Sequence, residues 1–439
     1  MRVLLLTLGS RGDVEPFVAL AAALQRAGHQ ATLAAATRFH PLAQAHGVTT
    51  VALGDGFIEL MESAEGRAAL DRGGSLFGTL RTMQRLAQQA DALQLQVQRE
   101  AWAAAQDCQP QLVVHHLKVM GAADIAQRLG VPSVLALLVP LLQPTAAWPC
   151  PMLPAWSERL PPAARRGSYH LVNWLATRFG AGAVKRWRRE EGLPPRPARM
   201  DQLHDAEGRP VPLLHAHSEV LLPRPADWPA HAVATGAWRL PTSTRWQPSP
   251  ALQAFLDAGP PPVYVGFGSM VGRHPVALAQ RVITALARAG VRGVIARGWG
   301  GLQPQQLPPE VHLIDEAPHD VLLPQMAAVV HHGGAGTTVA GLLAGLPTVV
   351  CPFFGDQPFW GRTVHRLGVG PAPVPARQLD PVRLAAAIGQ AVNSPAMRDA
   401  AYALGQRLRA EDGTASAVRF LERLVSAPQA NGEPAEARP

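Results

Sequence analysis

The fold is decided by one stretch of this sequence, Ala328-Val-Val-His-His-Gly-Gly-Ala-Gly-Thr-Thr-Val-Ala-Gly-Leu-Leu-Ala-Gly-Leu-Pro347. A short β-branched run comes first, then a turn with three glycines, then a helical segment that Gly345 and Pro347 bring to an end. The strand-like Thr348-Val-Val-Cys-Pro352 follows at once. The order of strand, glycine-rich loop, helix and strand predicts one unit of a parallel α/β sheet.

The loop in this stretch is suited to an anion. Its glycines let the backbone approach a ligand closely, and the first N–H groups of the helix have no partner inside the helix. Two threonine hydroxyls and an imidazole N–H add donors, which together could hold a diphosphate. A glycine-rich turn that only packs closely is the alternative. The candidate donor-binding residues of the loop are His332, Gly334, Gly336, Thr337 and Thr338.

Two polar residues follow the next strand. Asp356 and Gln357 come after Pro352-Phe-Phe-Gly355, at the carboxyl end of a neighbouring parallel strand, where ligands bind in open α/β sheets. A carboxylate beside an amide can accept from and donate to several hydroxyls of a sugar ring. Hydrogen-bond donors for phosphate at the end of one strand, and groups that bind sugar hydroxyls at the end of the next, indicate a nucleotide-sugar site.

The N-terminal stretch predicts a second sheet of the same kind. Arg2-Val-Leu-Leu-Leu-Thr-Leu8 is apolar without alternation, as in a fully buried parallel strand. A turn over Gly9 to Gly12, a helix over Pro16 to Ala27 and a strand over Gln30 to Ala35 are expected next. The turn lacks the GxGxxG pattern of dinucleotide-binding proteins, which weakens an NAD-linked oxidoreductase as an alternative.

Asp13 is the strongest candidate for chemistry. It lies just past the first strand, where a carboxylate can take the proton of a hydroxyl as its oxygen attacks a donor held by the other sheet. Capping of the following helix is the structural alternative, and the two roles are compatible.

The run from His331 to Gly370 resembles the donor-site signature of family 1 glycosyltransferases, in the variant typical of sterol 3-β-glucosyltransferases and their bacterial relatives. Further segments match that family in the same order and span nearly the whole chain, although they do not specify the acceptor. They are Gly9-Ser-Arg-Gly-Asp-Val-Glu-Pro16, Pro223-Arg-Pro-Ala-Asp-Trp228, Val265-Gly-Phe-Gly-Ser-Met270 and Arg297-Gly-Trp-Gly-Gly301.

The resemblance implies a GT-B architecture, in which two facing Rossmann-like doubly wound α/β domains enclose a cleft. It implies an inverting hexosyltransferase, with Asp13 as base, that moves a hexose from a nucleotide sugar, UDP-glucose, to a hydroxyl of a sterol, hopanoid or other lipid-like acceptor. A dTDP-sugar transferase acting on a polyketide or lipid precursor is the alternative. No DxD-like metal site stands out, so neither a metal nor a cofactor besides the nucleotide sugar is expected.

The expected divisions of the chain are an acceptor domain over 1–240, a linker over 241–258, a donor domain over 259–395, a helix over 396–426 that crosses back to the first domain, and a disordered tail over 427–439.

The resemblance also implies roles for residues outside the two loops. Ser269 resembles the family serine that reaches a donor phosphate. Glu316-Ala-Pro-His319 occupies the place where plant relatives carry a tryptophan that stacks on uracil, so that Ala317 and the nearby Trp299 become candidates for the nucleobase. The strand over Gln111 to His116 ends in two histidines, and either His115 or His116 could touch Asp13, although a structural role is the favoured interpretation. The candidate acceptor-binding residues are Ser10, Phe57, Phe77, Met83, His116, Trp148 and Trp156.

The amino-acid composition bears on the binding partners and on the cellular compartment. The net charge of +8 comes almost entirely from arginine, since Lys118 and Lys185 are the only lysines among 40 basic residues. This bias gives no case for nucleic-acid binding. Three widely separated cysteines and the lack of a long apolar run predict a cytoplasmic protein. The basic, tryptophan-containing segment Arg159 to Arg189 fits either peripheral contact with the inner face of a membrane or a solvated helix face.

Two further classes share this fold and remain open from sequence. A nucleotide-sugar epimerase needs acids on both faces of the sugar and no acceptor pocket. A non-catalytic nucleotide-sugar-binding protein would keep the same glycine-rich loop. Product analysis and a turnover assay separate these from a transferase.

Overall fold

The computed structural model describes residues 1–62, 76–178, 180–196, 201–241, 246–268, 275–298, 302–304 and 306–426, and it describes the backbone alone at 58, 60–62 and 76–90. Several predicted features therefore lie outside the described part of the chain. They are the tail over 427–439, Ser269 and Trp299, and the side chains of Phe77 and Met83.

The N-terminal part is a wholly parallel sheet covered by helices. Its described strands number seven and follow the order β3-β2-β1-β4-β5-β6-β7. They are β1 Arg2–Leu6, β2 Gln30–Ala35, β3 Thr49–Ala52, β4 Leu112–His116, β5 Ser133–Leu137, β6 Leu213–His215 and β7 Ala232–Ala234. The helices are α1 Arg11–Arg26, α2 His40–Ala45, α3 Asp55–Glu62, α4 Leu76–Cys108, α5 Ala122–Leu129, α6 Pro162–Arg178 and α7 Ala181–Glu190.

The second part repeats this design with a smaller sheet. Five parallel strands in its described residues follow the order β10-β9-β8-β11-β12. They are β8 Val263–Gly266, β9 Gly293–Ala296, β10 Val311–Ile314, β11 Ala328–His331 and β12 Thr348–Val350. The helices are α8 Pro250–Asp257, α9 Pro275–Ala289, α10 His319–Leu322, α11 Ala335–Leu343, α12 Gln357–Arg366, α13 Pro381–Asn393, α14 Pro395–Arg409 and α15 Gly413–Ser426.

Burial on both faces explains why the strands are apolar without alternation. In β1, Val3 and Leu5 pack with α1, whereas Leu4 and Leu6 pack on the opposite face with α4. Alternate side chains of a strand point to opposite faces of the sheet, so a strand covered on both sides needs apolar residues at every position. The expected two-domain doubly wound α/β fold is confirmed.

The last two helices join the domains. In α14, Ala401 and Leu404 pack against Leu342 of the second domain. In α15, Val418 and Leu421 belong to the hydrophobic cluster of the first domain that contains α1. Helix α8, which precedes the second sheet, packs on the second domain next to Tyr264 and Val294.

Helix α1 begins five residues before the predicted start at Pro16, which lies inside the helix. The start is fixed by a cap, since the carboxylate of Asp13 accepts a hydrogen bond from the backbone N–H of Ser10 at 2.7 Å. This half of a capping box holds the first turn although Pro16 lacks an N–H for the carbonyl of Gly12. The early start places Asp13 at the end of the sheet.

Candidate active site

Both sheets have a topological switch point, where the connections leave two adjacent strands in opposite directions. In the first sheet it lies between β1 and β4, and in the second between β8 and β11. Crevices open beyond the carboxyl ends of the strands at such points. The predicted base and the predicted phosphate loop each follow a strand at one of these points.

Asp13 is held by a network at the first switch point. Its Oδ2 accepts hydrogen bonds from the backbone N–H of Ser10 at 2.7 Å, from the Ser10 hydroxyl at 3.0 Å and from Nζ of Lys118 at 2.8 Å. Its Oδ1 lies 3.7 Å from Nε2 of His116, beyond a direct hydrogen bond. One oxygen is thus anchored while the other is placed to receive a proton.

Opposing effects set the protonation of this site. Burial alone would raise the pKa of Asp13, but the charges of Lys118 and His116 and the hydrogen bonds from Lys118 and Ser10 together hold the pKa below its ordinary value. Burial lowers the pKa of His116 to about 4, so that its imidazole is neutral at pH 7. Lys118 is therefore the cation that keeps Asp13 ionised at neutral pH.

Lys118 is the functional candidate that sequence reasoning missed. It follows β4 directly, two residues after His116, and 105 positions separate it from Asp13. The available signal was its rarity, since it is one of two lysines in the chain, and its place at the carboxyl end of a strand at the switch point.

The glycine-rich loop lies at the second switch point, directly after β11. Gly333 has a φ of 95°, and its N–H donates to Nδ1 of His331 at 2.8 Å, which turns the chain from β11 into α11. A Cβ on Gly334 would lie 2.6 Å from Nε2 of His332, so the absence of a side chain there makes room for the imidazole. Burial lowers the pKa of His332 to about 4, leaving a neutral ring beside the helix start.

One predicted hydrogen-bond donor of this loop is already used within the protein. The hydroxyl of Thr338 donates to the carbonyl of Gly334 at 2.9 Å, so it holds the first turn of α11 instead of facing a ligand. Gly336 is exposed and Thr337 half-buried in that turn. The backbone N–H groups of the turn therefore carry most of the anion-binding capacity.

Asp356 and Gln357 stand at the start of α12, as the order of strands predicts. Oε1 of Gln357 accepts from the backbone N–H groups of Phe353 and Phe354 at 2.8 and 3.2 Å, so this oxygen shapes the loop and only the NH₂ is left for a ligand. Asp356 accepts from Nε1 of Trp360 at 2.9 Å, and burial raises its pKa, with the nearby charge of Asp13 acting in the same direction.

The two switch points face each other. The charge of Asp13 acts on Asp356 of the other domain, and Nη1 of Arg11 lies 3.3 Å from a carboxylate oxygen of Glu316. Ala317, the candidate at the nucleobase position, follows Glu316 and is half-buried. Asp13 and Arg11 of the first domain thus lie close to Asp356 and Glu316 of the second.

The predicted acceptor residues are not all brought to this region. Trp148 lies near this region, because it packs with Phe359 and Trp360 of the second domain. Its ring centre lies 6.3 Å from that of Trp228. Phe57 instead packs on the hydrophobic core between β1 and α4. Trp156 is 61% exposed, so in this structure it is a surface residue and not the wall of a closed pocket.

No helix in the described ranges is long and apolar enough to cross a membrane. The same residues contain no group of three or more His, Cys, Asp or Glu side chains that could hold a metal ion.

Comparisons with known proteins identify the family of the chain. Residues 3–123 match the family model "Glycosyltransferase family 28 N-terminal domain", and residues 297–424 match "Erythromycin biosynthesis protein CIII-like, C-terminal domain". The chain is 33% identical to a sterol 3-beta-glucosyltransferase of Arabidopsis thaliana, over 99% of its own length and 67% of the plant protein. It belongs to the sterol 3-beta-glucosyltransferase family.

A fungal member of the family, from Neosartorya fischeri, is 34% identical over 96% of the chain, which spans 29% of the longer fungal protein. Among solved structures, the kitacinnamycin glycotransferase superposes with a TM-score of 0.69 at 19% identity, covering 97% of this chain and 99% of that one. The chain is therefore a hexosyltransferase with the GT-B fold, as its motifs predicted.

Proposed function

We propose that this hexosyltransferase transfers glucose from UDP-glucose to the hydroxyl of a sterol or sterol-like acceptor, with inversion at the anomeric carbon. The plant and fungal relatives are sterol 3-beta-glucosyltransferases, which suggests the sugar and the acceptor class. The single observation that carries the mechanism is that Asp13, with Oδ1 open, lies close enough to Asp356 of the other domain for its charge to act there.

In the proposed reaction, the acceptor hydroxyl oxygen attacks the anomeric carbon while its proton passes to Oδ1 of Asp13. The bond from the anomeric carbon to the diphosphate breaks, and UDP leaves with the electron pair. The N–H groups at the start of α11, the hydroxyl of Thr337 and the ring of His332 meet the growing charge on the diphosphate, because fixed dipoles aimed at developing charge lower the barrier. The mechanism calls for no metal and no cofactor.

The sugar of the donor lies against α12 in this proposal. The carboxylate of Asp356 and the NH₂ of Gln357 bind its hydroxyls, and the backbone at Ala317 borders the nucleobase. Trp148, half-buried against Trp228 and the start of α12, forms the apolar wall on the acceptor side.

Donor and acceptor can be tested separately. Thermal shifts with UDP-glucose, UDP-galactose, dTDP-glucose and dTDP-rhamnose identify the donor, and turnover with cholesterol and with a hopanoid alcohol identifies the acceptor. We expect the largest shift with UDP-glucose and a β-glucoside product by proton NMR. A shift with dTDP-sugars alone, an α-linked product or epimerised sugar in place of a glycoside would contradict the proposal.

A surface next to the acceptor side is suited to an anionic lipid membrane. Met152 and Trp156 are 46% and 61% exposed on the loop after β5, and Leu171 and Leu175 are 53% and 46% exposed on one face of α6. Arg165 donates to the carbonyls of Ala147, Glu158 and Leu160, which ties this loop to α6. The exposed arginines of the two segments are Arg159, Arg166 and Arg178.

We propose that these apolar side chains enter the headgroup region at the inner face of the membrane while the arginines contact anionic lipids, so that a lipid acceptor reaches the cleft directly. Flotation with vesicles containing about one-third phosphatidylglycerol tests this contact. Leu171→Ser with Leu175→Ser should reduce binding, whereas Val382→Ser, at an equally exposed position of the second domain, should not. Equal binding of both variants, or no binding at low salt, would rule the surface out.

A further inference from the structure

Lys118 forms an ion pair with the proposed catalytic base. Its Nζ lies 2.8 Å from Oδ2 of Asp13, and the two side chains are 36% and 19% exposed. The surrounding backbone leaves room for this pair, because a Cβ on Gly9 would lie 2.2 Å from Oδ2 of Asp13 and 2.6 Å from Nζ of Lys118. Gly9 has a φ of 134°, so the first loop is built to let lysine and carboxylate meet.

The pair restricts how Asp13 can act. Oδ2 receives three donors, two from Ser10 and one from Lys118, so only Oδ1 can accept a proton from a substrate. An apolar acceptor that fills the site removes water from this carboxylate, and loss of water favours its neutral form. A fixed cation at hydrogen-bond distance opposes that change.

We infer that Lys118 is a positioning residue of the transfer reaction: it turns Oδ1 of Asp13 toward the acceptor and keeps the carboxylate charged when an apolar acceptor displaces water. This inference rests on the proposed role of Asp13 as base. It gives Lys118 no contact with the sugar.

The other charged groups near Asp13 do not replace Lys118. His116, on β4, is neutral at pH 7 because burial lowers its pKa to about 4. Asp356, from α12 of the other domain, is an acid and cannot stabilise a second negative charge. On α1 itself, Arg11 is bound to Glu15 at 2.7 Å and to Glu316 at 3.3 Å.

The pH dependence of transfer tests the inference with Lys118→Met, Lys118→Arg and Lys185→Met. Lys185 is an exposed residue of α7, so its variant controls for loss of a lysine. An opposite charge within hydrogen-bond reach lowers a carboxyl pKa by about 1–3 units. On the acid side of the pH profile, here called the acid limb, kcat/KM falls as Asp13 takes up a proton. Lys118→Met should therefore shift the acid limb to a higher pH, by about 1–3 units. Just below the new limb, activity falls about tenfold per pH unit relative to the parent protein.

Lys118→Arg should return the acid limb to its original pH, even if kcat is lower, and Lys185→Met should not move it. The shift caused by Lys118→Met should be larger in kcat than in kcat/KM, since kcat reports the complex in which the acceptor has displaced water. An acid limb that is the same in Lys118→Met and in the parent protein would overturn the inference.

A second readout does not need transfer activity. Reductive methylation with carbon-13 formaldehyde labels two lysine side chains besides the N-terminus, and each variant assigns one NMR signal. Asp13→Asn should shift the Lys118 signal and leave that of Lys185 in place. An unmoved Lys118 signal would show that the pair is absent in solution. If the pair is seen but no acceptor is glycosylated by the parent protein, the proposed function fails and the pairing stands.

Discussion

Glu158 and Arg362 join the acceptor side of the molecule to the donor side, with Oε1 of the glutamate 2.5 Å from Nε of the arginine. Glu158 lies in the loop that also carries Trp148 and Trp156, and Arg362 lies on α12, the helix that begins with Gln357. A shift of either segment is therefore transmitted to the other.

This link predicts coupling between the two substrates. Glu158→Arg should raise the KM of donor and acceptor together, because it repels α12 from the acceptor loop. The melting temperature should change little, since Glu158 is 42% exposed and ion pairs open to solvent contribute about 1 kcal/mol or less. Combining Glu158→Arg with Arg362→Glu should restore both KM values. Two single variants that each affect only one substrate, or a swap that restores neither, would show that the ion pair does not couple the sites.

Replacing the proposed base separates chemistry from folding. Asp13→Asn should lower kcat by about 10²–10⁴-fold, the usual contribution of a general base. An asparagine oxygen can still accept from the N–H of Ser10, so the cap of α1 should survive and the far-UV circular dichroism should not change. The control is Asp380→Asn, which alters the cap of α13, where Asp380 accepts from Val382 and Arg383 at 2.9 and 3.0 Å. Near-normal turnover in Asp13→Asn would remove this residue as the base.

Local sequence signals predicted the sheets well because their causes are local. Val3 to Leu6 are apolar throughout, since both faces of β1 are covered, and the turn at Gly333 needs a positive φ that glycine adopts freely. The predicted start of α1 at Pro16 was wrong. The cap hydrogen bond between Ser10 and Asp13 outweighs the preference of Pro16 for the first turn of a helix.

The finer features of the site depend on contacts that no local pattern encodes. Lys118 meets Asp13 across 105 positions of the chain. The hydroxyl of Thr338 prefers the carbonyl of Gly334, and the oxygen of Gln357 prefers two backbone N–H groups, because buried polar atoms take the nearest available partner. The sequence shows which polar side chains the loops carry. Packing in the folded chain decides which atoms of those side chains remain free to bind a ligand.

Buried histidines predict loss of stability in mild acid. Burial lowers the pKa of His115, His116 and His217 from the ordinary value of 6.5 to about 4, so the unfolded chain binds protons that the folded chain does not between these pH values. Each such group lowers the free energy of unfolding by about 1.4 kcal/mol per pH unit as the pH falls through that window.

His115 allows this to be measured for one group, since neither of its ring nitrogens has a hydrogen-bond partner within the described residues. His115→Leu should flatten the dependence of the unfolding free energy on pH by about one proton between pH 6.5 and 4.5, as followed by urea titration at several pH values. The control is His170→Gln, which removes an imidazole from an exposed position of α6. An unchanged slope in His115→Leu would mean that this imidazole is hydrated or paired in solution.

The glycine-rich loop allows donor binding to be separated from folding, because two of its glycines differ in what surrounds them. A Cβ on Gly336 would meet no atom within 4 Å, whereas a Cβ on Gly334 would lie 2.6 Å from Nε2 of His332. Gly336→Ala should therefore raise the melting temperature slightly, since alanine favours a helix over glycine by up to about 1 kcal/mol. The same methyl group would occupy the space proposed for the diphosphate, so the KM for UDP-glucose should rise at least about tenfold, equivalent to 1.4 kcal/mol.

Gly389→Ala is the matched control for that effect, because Gly389 lies inside α13 and a Cβ there also meets no atom within 4 Å. It should give a similar gain in melting temperature with no change in the KM for the donor. Gly334→Ala should weaken donor binding by a different route, through displacement of the His332 ring, and should bring no gain in melting temperature. If Gly336→Ala binds UDP-glucose as well as the parent protein does, the diphosphate does not lie at the start of α11, and the donor must be held elsewhere between the domains.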